Sequence, residues 1–134
     1  MQPNTHLTIN SDLCGSIIAL SAGSATVVLQ TTAQMAADAH GLVHGGFVFG
    51  LADYAAMLAV NDPNVVLGAA STRFLAPVQA GEAVTATAQR AEQKGRKHTV
   101  EVEARVGEQV VFTGTFTAFV LDAHVLAGRG GSDG

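Results

Sequence analysis

The chain has 134 residues, 48% of them apolar and only 13% charged, with a formal net charge of −4. That length suits one domain around one core, and the negative balance argues against bulk binding to nucleic acid, which needs a cationic face. So few charged groups leave more apolar surface than a lone monomer covers with polar atoms, a hint of self-association.

Along the chain, residues 1–12 are polar and are expected to be frayed. Residues 128–134 (Gly-Arg-Gly-Gly-Ser-Asp-Gly) read as a disordered tail, so a single domain over 1–134 has its ordered core at about 12–122. The single Cys14 cannot form an internal disulfide, and it reads as a small strand residue. No signal peptide opens the sequence. The longest apolar run, residues 47–60, is too short for a bilayer and carries an aspartate, so a cytoplasmic protein without membrane contact is expected. Residues 15–20 and 26–31 read as two strands around a turn at 21–24. A Gly- and His-rich loop follows over 38–45. Residues 46–61 read as a helix stopped by Asp62-Pro63, because proline disfavours helix in the residue before it.

The period then changes to two. A strand is expected over 67–75. Val84, Ala86 and Ala88 alternate with threonines and Gln89, and Val100, Val102, Ala104 and Val106 with Thr99, Glu101, Glu103 and Arg105. Phe112, Gly114, Phe116, Ala118 and Val120 do the same, after a tight turn at Gly107-Glu108. Two strands, a helix and four strands give an α+β fold, a six-stranded antiparallel sheet wrapped around one long helix.

The helix is apolar on every face, so it is buried on every face. Its own sheet covers one side, and a second copy of the chain is the economical cover for the other. Asp53 is the only charged group in it. An ionised carboxylate in such a setting costs several kcal/mol unless it is paired or hydrogen-bonded. Backbone amides or Arg73 would satisfy it in a purely structural reading; a catalytic carboxylate is the other reading. Just upstream, His44-Gly45-Gly46 lies where the loop enters the helix, whose first N–H groups have no internal partner and carry partial positive charge. Glycines there let another molecule approach the backbone, as an oxyanion site requires. Asp53 lies two turns in, roughly 12 Å along the axis, too far to face the same atom as Gly45 of its own chain. An antiparallel helix from a second copy would bring the two together at a dimer seam.

The run Gly41-Leu-Val-His44-Gly-Gly-Phe-Val-Phe-Gly-Leu-Ala-Asp53-Tyr-Ala-Ala resembles the G-x-x-H-G-G-x5-[LA]-D-x-A signature of phenylacetate-pathway (PaaI-type) hotdog thioesterases. Ser71-Thr-Arg-Phe-Leu-Ala-Pro77 and Gly81-Glu82 resemble the segments after the helix in that family, and the similarity covers about residues 12–121. The resemblance implies a hotdog fold and hydrolysis of acyl-CoA thioesters with an aryl or medium-length acyl group. Asp53 then matches the catalytic acid, acting as general base on water or as nucleophile. Gly45 matches the residue whose N–H polarises the thioester carbonyl, with Gly46 beside it, and His44 the motif histidine that orients the loop. Asp38 stands where relatives carry Asn or Gln, which departs from the usual division of roles. Ser71 or Thr72 would substitute for the hydroxyl that completes the site in some relatives, a place Met57 cannot fill. Ala76 replaces an arginine often found before the proline. Met57 and Phe74, with Phe47, Phe49 and Tyr54, would line the acyl pocket.

Thioester hydrolysis needs a base and an oxyanion site but no metal or other cofactor, coenzyme A being part of the substrate. His40 and His44 lack a third ligand in view, and the glycines of this region make no nucleotide-binding signature. Arg90, Lys94, Arg96 and Lys97 gather at a predicted hairpin; each reads as a solvated turn residue, and together they suit the phosphates of CoA. The partners implied are acyl-CoA and further copies of the chain, as homodimer and homotetramer. Two other readings stay open: a hotdog enoyl-CoA hydratase or dehydratase, whose Asp-Asn-Pro-x-His type of loop is not matched by residues 38–44, and a non-catalytic acyl-CoA-binding module, for which the length leaves no room for a DNA-binding segment.

Overall fold

The computed structural model describes residues 1–128, so the tail expected over 128–134 lies, Gly128 apart, outside the described residues. Six strands, β1 (Ser16–Ser21), β2 (Ser24–Gln30), β3 (Val65–Phe74), β4 (Ala83–Lys94), β5 (Lys97–Val106) and β6 (Gln109–Val120), form one sheet in the order β1-β2-β4-β5-β6-β3. Every neighbouring pair is antiparallel. Hairpins join β1 to β2, β4 to β5 and β5 to β6. The long helix, α2 (Gly45–Val60), instead carries the chain across the sheet, so β3 starts at the far edge and pairs only with β6. A short helix, α1 (Ser11–Cys14), precedes β1.

The period of two in the sequence is the period of burial. Val84, Ala86 and Ala88 on β4, Val100, Val102 and Ala104 on β5, and Phe112, Phe116 and Ala118 on β6 all lie in the core. α2 packs on this face, chiefly over β4, β2 and β5. The alanines let its backbone approach, and Leu51, Met57 and Leu58 fill the space between. Each large apolar side chain so buried contributes about 1.5–3 kcal/mol. α2 ends where Asn61 turns into the left-handed region (φ 55, ψ 43) and returns its N–H to the Met57 carbonyl, one residue before Asp62-Pro63. This is the hotdog arrangement that the sequence resemblance implies.

The amino-terminal segment departs from expectation. Residues 1–12 are not frayed: they form a strap along the outer side of α2. The Asn4 N–H donates to Asn61 Oδ1 at 2.7 Å, and Asn61 Nδ2 donates to the Gln2 carbonyl at 3.0 Å. Thr5 is buried, its hydroxyl hydrogen-bonded to His6 Nδ1 at 2.8 Å, and the His6 ring lies over Tyr54 with centroids 5.9 Å apart. Asn10 then caps α1, its Oδ1 accepting the N–H groups of Asp12 and Leu13. Cys14 therefore closes this helical turn and is not a strand residue. Gly15 follows at φ +112, pressed so closely on β2 and α2 that a Cβ would stand 2.7 Å from Val27 Cγ1 and 2.9 Å from Leu51 Cδ1. Polar composition gave no sign of this order, because the anchors are bonds to α2 more than fifty residues away.

The strap changes the account of α2. Its outer face needs no second copy along the whole length, because the chain itself covers the second half. The first half stays open: nothing lies within 4 Å of a Cβ built on Gly50, and only His44 lies near one built on Gly46. Asp53 sits at the border between the covered and the open halves.

Candidate functional site

The loop before α2 is held on both sides. Ala36 bridges to Val43, the His44 N–H donates to the Met35 carbonyl at 2.9 Å, and on the other flank Val43 and Ala80 donate to Val78 and Gly41 at 2.8 Å each. This clamp delivers His44 in extended conformation (φ −60, ψ 131), with no side chain capping the helix that starts at Gly45. Among the described residues neither Gly45 nor Gly46 donates its N–H to any acceptor. The helix N-terminus therefore offers two unused donors at its positive end. The His44 ring folds back over Gly46, where a Cβ would meet its Cδ2 and Nε2 at 3.0 Å, and it meets Phe47 edge-on.

Beside Gly45 runs an apolar groove of about 360 Å³, walled by Leu42, Val48, Phe74, Pro77, Val78 and Val111. Phe74 is half exposed and braced edge-on against Phe112 at 5.1 Å. The groove shares Leu42, Pro77 and Val78 with a second cavity of about 350 Å³ that reaches His40, Gln79 and Glu82, so the path grows more polar away from Gly45.

Asp53 has the electrostatics of a poised acid–base group. It is partly buried, Oδ1 is sealed from solvent with no hydrogen-bond partner among the described residues, and burial pushes the carboxyl up to about 6. Neither backbone amides nor Arg73 satisfies that oxygen. Cys14, at the end of α1, feels the charge of Asp53: the thiol is pushed up by burial and then by the carboxylate. A carboxylate left without a partner in apolar surroundings is a costly arrangement for a purely structural residue.

The remaining candidates are spread out. His44, Gly45, Gly46 and Phe74 come together at the helix N-terminus, while Asp53 of the same chain is about 12 Å away along the axis. Asp38 is exposed, and its Oδ1 is engaged by the N–H groups of His40 (2.9 Å) and Leu42 (3.2 Å), which makes it the keystone of the loop turn. Met57 is sealed in the core, and so is Tyr54, so neither lines the groove. Ser71 and Thr72 lie on β3, opposite Thr115 and Gly114. Arg90, Lys94, Arg96 and Lys97 occupy the β4–β5 hairpin at the other end of α2, where Arg90 and Arg96 share a cavity with Val60 and His98. Arg96 is paired with Asp122 and Lys94 with Glu92. Sequence reasoning missed Leu42, Val78 and Val111 as groove residues and Cys14 as the neighbour of Asp53. The hydrophobic residues carry no signal that separates a groove wall from a core. No group of three His, Cys, Asp or Glu side chains among the described residues converges as a metal would require.

The comparisons with known proteins agree on the fold and disagree in their names. The family model described as the thioesterase superfamily matches residues 40–113, more than half of the chain. The chain is 50% identical over 123 residues to the methylthioribose-1-phosphate isomerase of Aquifex aeolicus, covering 91% of this chain but 27% of that protein. It is 26% identical over 122 residues to the transcription factor FapR of Caldanaerobacter subterraneus, covering 90% of this chain and 61% of that one. It thus spans about a quarter and about three-fifths of these two relatives. With the acyl-coenzyme A thioesterase PaaI of Escherichia coli it shares 39% identity over 93 residues, 64% of this chain and 66% of that one. The solved E. coli PaaI structure superposes with a TM-score of 0.77 at 31% identity, covering 84% of this chain and 83% of that chain. No helix among the described residues is long and apolar enough to cross a membrane. With its six-stranded sheet, its central helix and a family match that runs from the loop through the helix and three strands into the start of β6, the chain belongs to the thioesterase superfamily of the hotdog fold.

Proposed function

We propose that this protein hydrolyses acyl-CoA thioesters, with Asp53 as the catalytic carboxylate and the Gly45 N–H as oxyanion donor. The observation that carries the reading is Asp53 itself: the one charged group of α2, partly buried, with an oxygen that nothing among the described residues satisfies and a pKa raised by burial to about 6. At neutral pH such a carboxyl is mostly ionised yet basic enough to take a proton from water, or it attacks the carbonyl directly. The free amides of Gly45 and Gly46 suit the oxygen of the tetrahedral intermediate. Because one chain holds these parts 12 Å apart, the working site is composite: the open half of α2 pairs antiparallel with that of a second copy, setting Asp53 beside the partner's Gly45. We propose a homodimer on this basis, with dimers pairing into a homotetramer in the cytoplasm. Val60 lies about 10 Å beyond Asp53, so this pairing carries the Arg90, Lys94, Arg96 and Lys97 hairpin past the partner's Gly45, where the phosphates of CoA would lie. The PaaI relative, an acyl-coenzyme A thioesterase by name, supports the substrate class.

The test is CoA release from a panel of aryl- and alkyl-CoA thioesters by wild type and Asp53→Asn. Turnover that collapses in the variant with binding retained supports hydrolysis. Hydration of an enoyl-CoA, or tight binding without turnover in wild type, would replace it with one of the other two readings.

A further inference from the structure

The strap traces the second half of α2 backwards. Gln2 and Asn4 are bonded to Asn61, His6 lies over Tyr54, Cys14 reaches the surroundings of Asp53, and Gly15 is pressed on Leu51. Cover therefore ends about Asp53 and Leu51, and beyond them the helix lies bare at Gly50. We propose that residues 2–14 form a positioning strap for Asp53, keeping water from one side of its carboxyl, with Thr5, His6 and Asn61 as the latch.

Three features support this. Within one chain the sheet covers the opposite side of α2, so the strap is the element of the same chain able to exclude water from the outer side. No cation answers the carboxyl: among the described residues Asp53 has no ion pair, and the charged or titratable group facing it from α1 is Cys14. The exclusion of water is then what sets its proton affinity. Finally, His6 holds a left-handed backbone (φ 55) that is strained for a non-glycine residue, so the strap stays closed because its contacts over-determine it. A latch under strain can be opened by removing few bonds.

The effect on turnover rests on the thioesterase reading; the effect on the carboxyl does not. Asn61→Gly keeps the left-handed turn and removes both tethers, and deletion of residues 2–9 removes the strap's first part outright. In each variant the Asp53 carboxyl is followed by carbon-13 NMR titration, strap opening by hydrogen exchange, and folding by Tm. Opening is expected to lower the Asp53 midpoint by about one unit towards the ordinary carboxylate value. The acid limb of kcat/KM should move to lower pH by the same amount, which a merely structural role would not do. An Asp53 midpoint that stays put in a folded variant whose residues 10–14 exchange freely overturns the proposal. A midpoint that moves in a protein without turnover on any thioester would leave the strap standing and remove the hydrolase reading.

Discussion

The ring of Phe74 lies against the α-carbon of Gly45: a methyl group built there would stand 3.3 Å from Phe74 Cε2. The groove wall and the proposed oxyanion donor are thus in contact, and a change at one is felt at the other. Gly45 has an ordinary helical backbone, and Phe74, though braced on one side by Phe112, is half exposed and so has solvent to yield into. Gly45→Ala should therefore shift stability by less than about 1 kcal/mol, since alanine favours the helix it would begin. The displaced ring should lower kcat/KM for acyl-CoA roughly tenfold, about 1.4 kcal/mol of transition-state stabilisation. Steady-state kinetics with Phe74→Leu added would recover most of that loss if contact with the ring is its cause.

Asp53 should weaken the fold at neutral pH. Its folded-state value of about 6 stands above the ordinary 3.8, so the folded chain holds the proton more tightly than the unfolded one. Stability contributed by the neutral carboxyl is full below pH 4 and is lost as pH rises from about 4 to about 6. The penalty above that window is on the order of 3 kcal/mol. Asp53→Asn should raise stability at pH 7.5 by roughly 1–3 kcal/mol and leave it little changed near pH 4, as urea unfolding at the two pH values would show. Equal stabilisation at both would mean the charge is already answered.

Gly114 makes a sharper case for a residue chosen by space. It lies in β6 between Phe112 and Phe116, and a Cβ there would stand 2.8 Å from the Phe116 ring, 3.1 Å from Thr72 Cγ2 and 3.3 Å from the Phe112 ring. Both rings are wholly buried and have nowhere to retreat. Gly114→Ala should cost about 1–3 kcal/mol despite the better strand propensity of alanine, read as a lower urea midpoint with an unchanged slope.

At Asn61 two contributions separate by substitution. Asn61→Gly keeps the left-handed turn and loses the tethers to Gln2 and Asn4; Asn61→Ala loses both the tethers and the easy turn. Alanine should therefore be the worse of the two by about 1 kcal/mol in thermal unfolding.

These residues also mark what the sequence reveals. The strands at 84–88, 100–104 and 112–118 are legible because a half-buried strand must alternate, and the helix because Asp62-Pro63 must end it. Asp53 stands out because a charge inside an apolar helix has to be explained by something. The Thr5–His6 anchor does not stand out, since Thr5 is buried beside a histidine whose ring lies over Tyr54, a contact that no local pattern encodes. The part Asp38 plays in its own loop is equally illegible: its place before the motif suggests chemistry, and nothing local foretells that Oδ1 accepts the N–H groups of His40 and Leu42.

The bonds between Asn61 and residues 2 and 4 join the two ends of a stretch nearly sixty residues long. A lineage that shortens or replaces its first ten residues therefore strips position 61 of its polar partners. That position is then free to become glycine, and the outer side of Tyr54 must find new cover. Sequence change at the beginning of the chain and at the end of the central helix should accordingly travel together, although the two regions share no strand, no loop and no part of the groove.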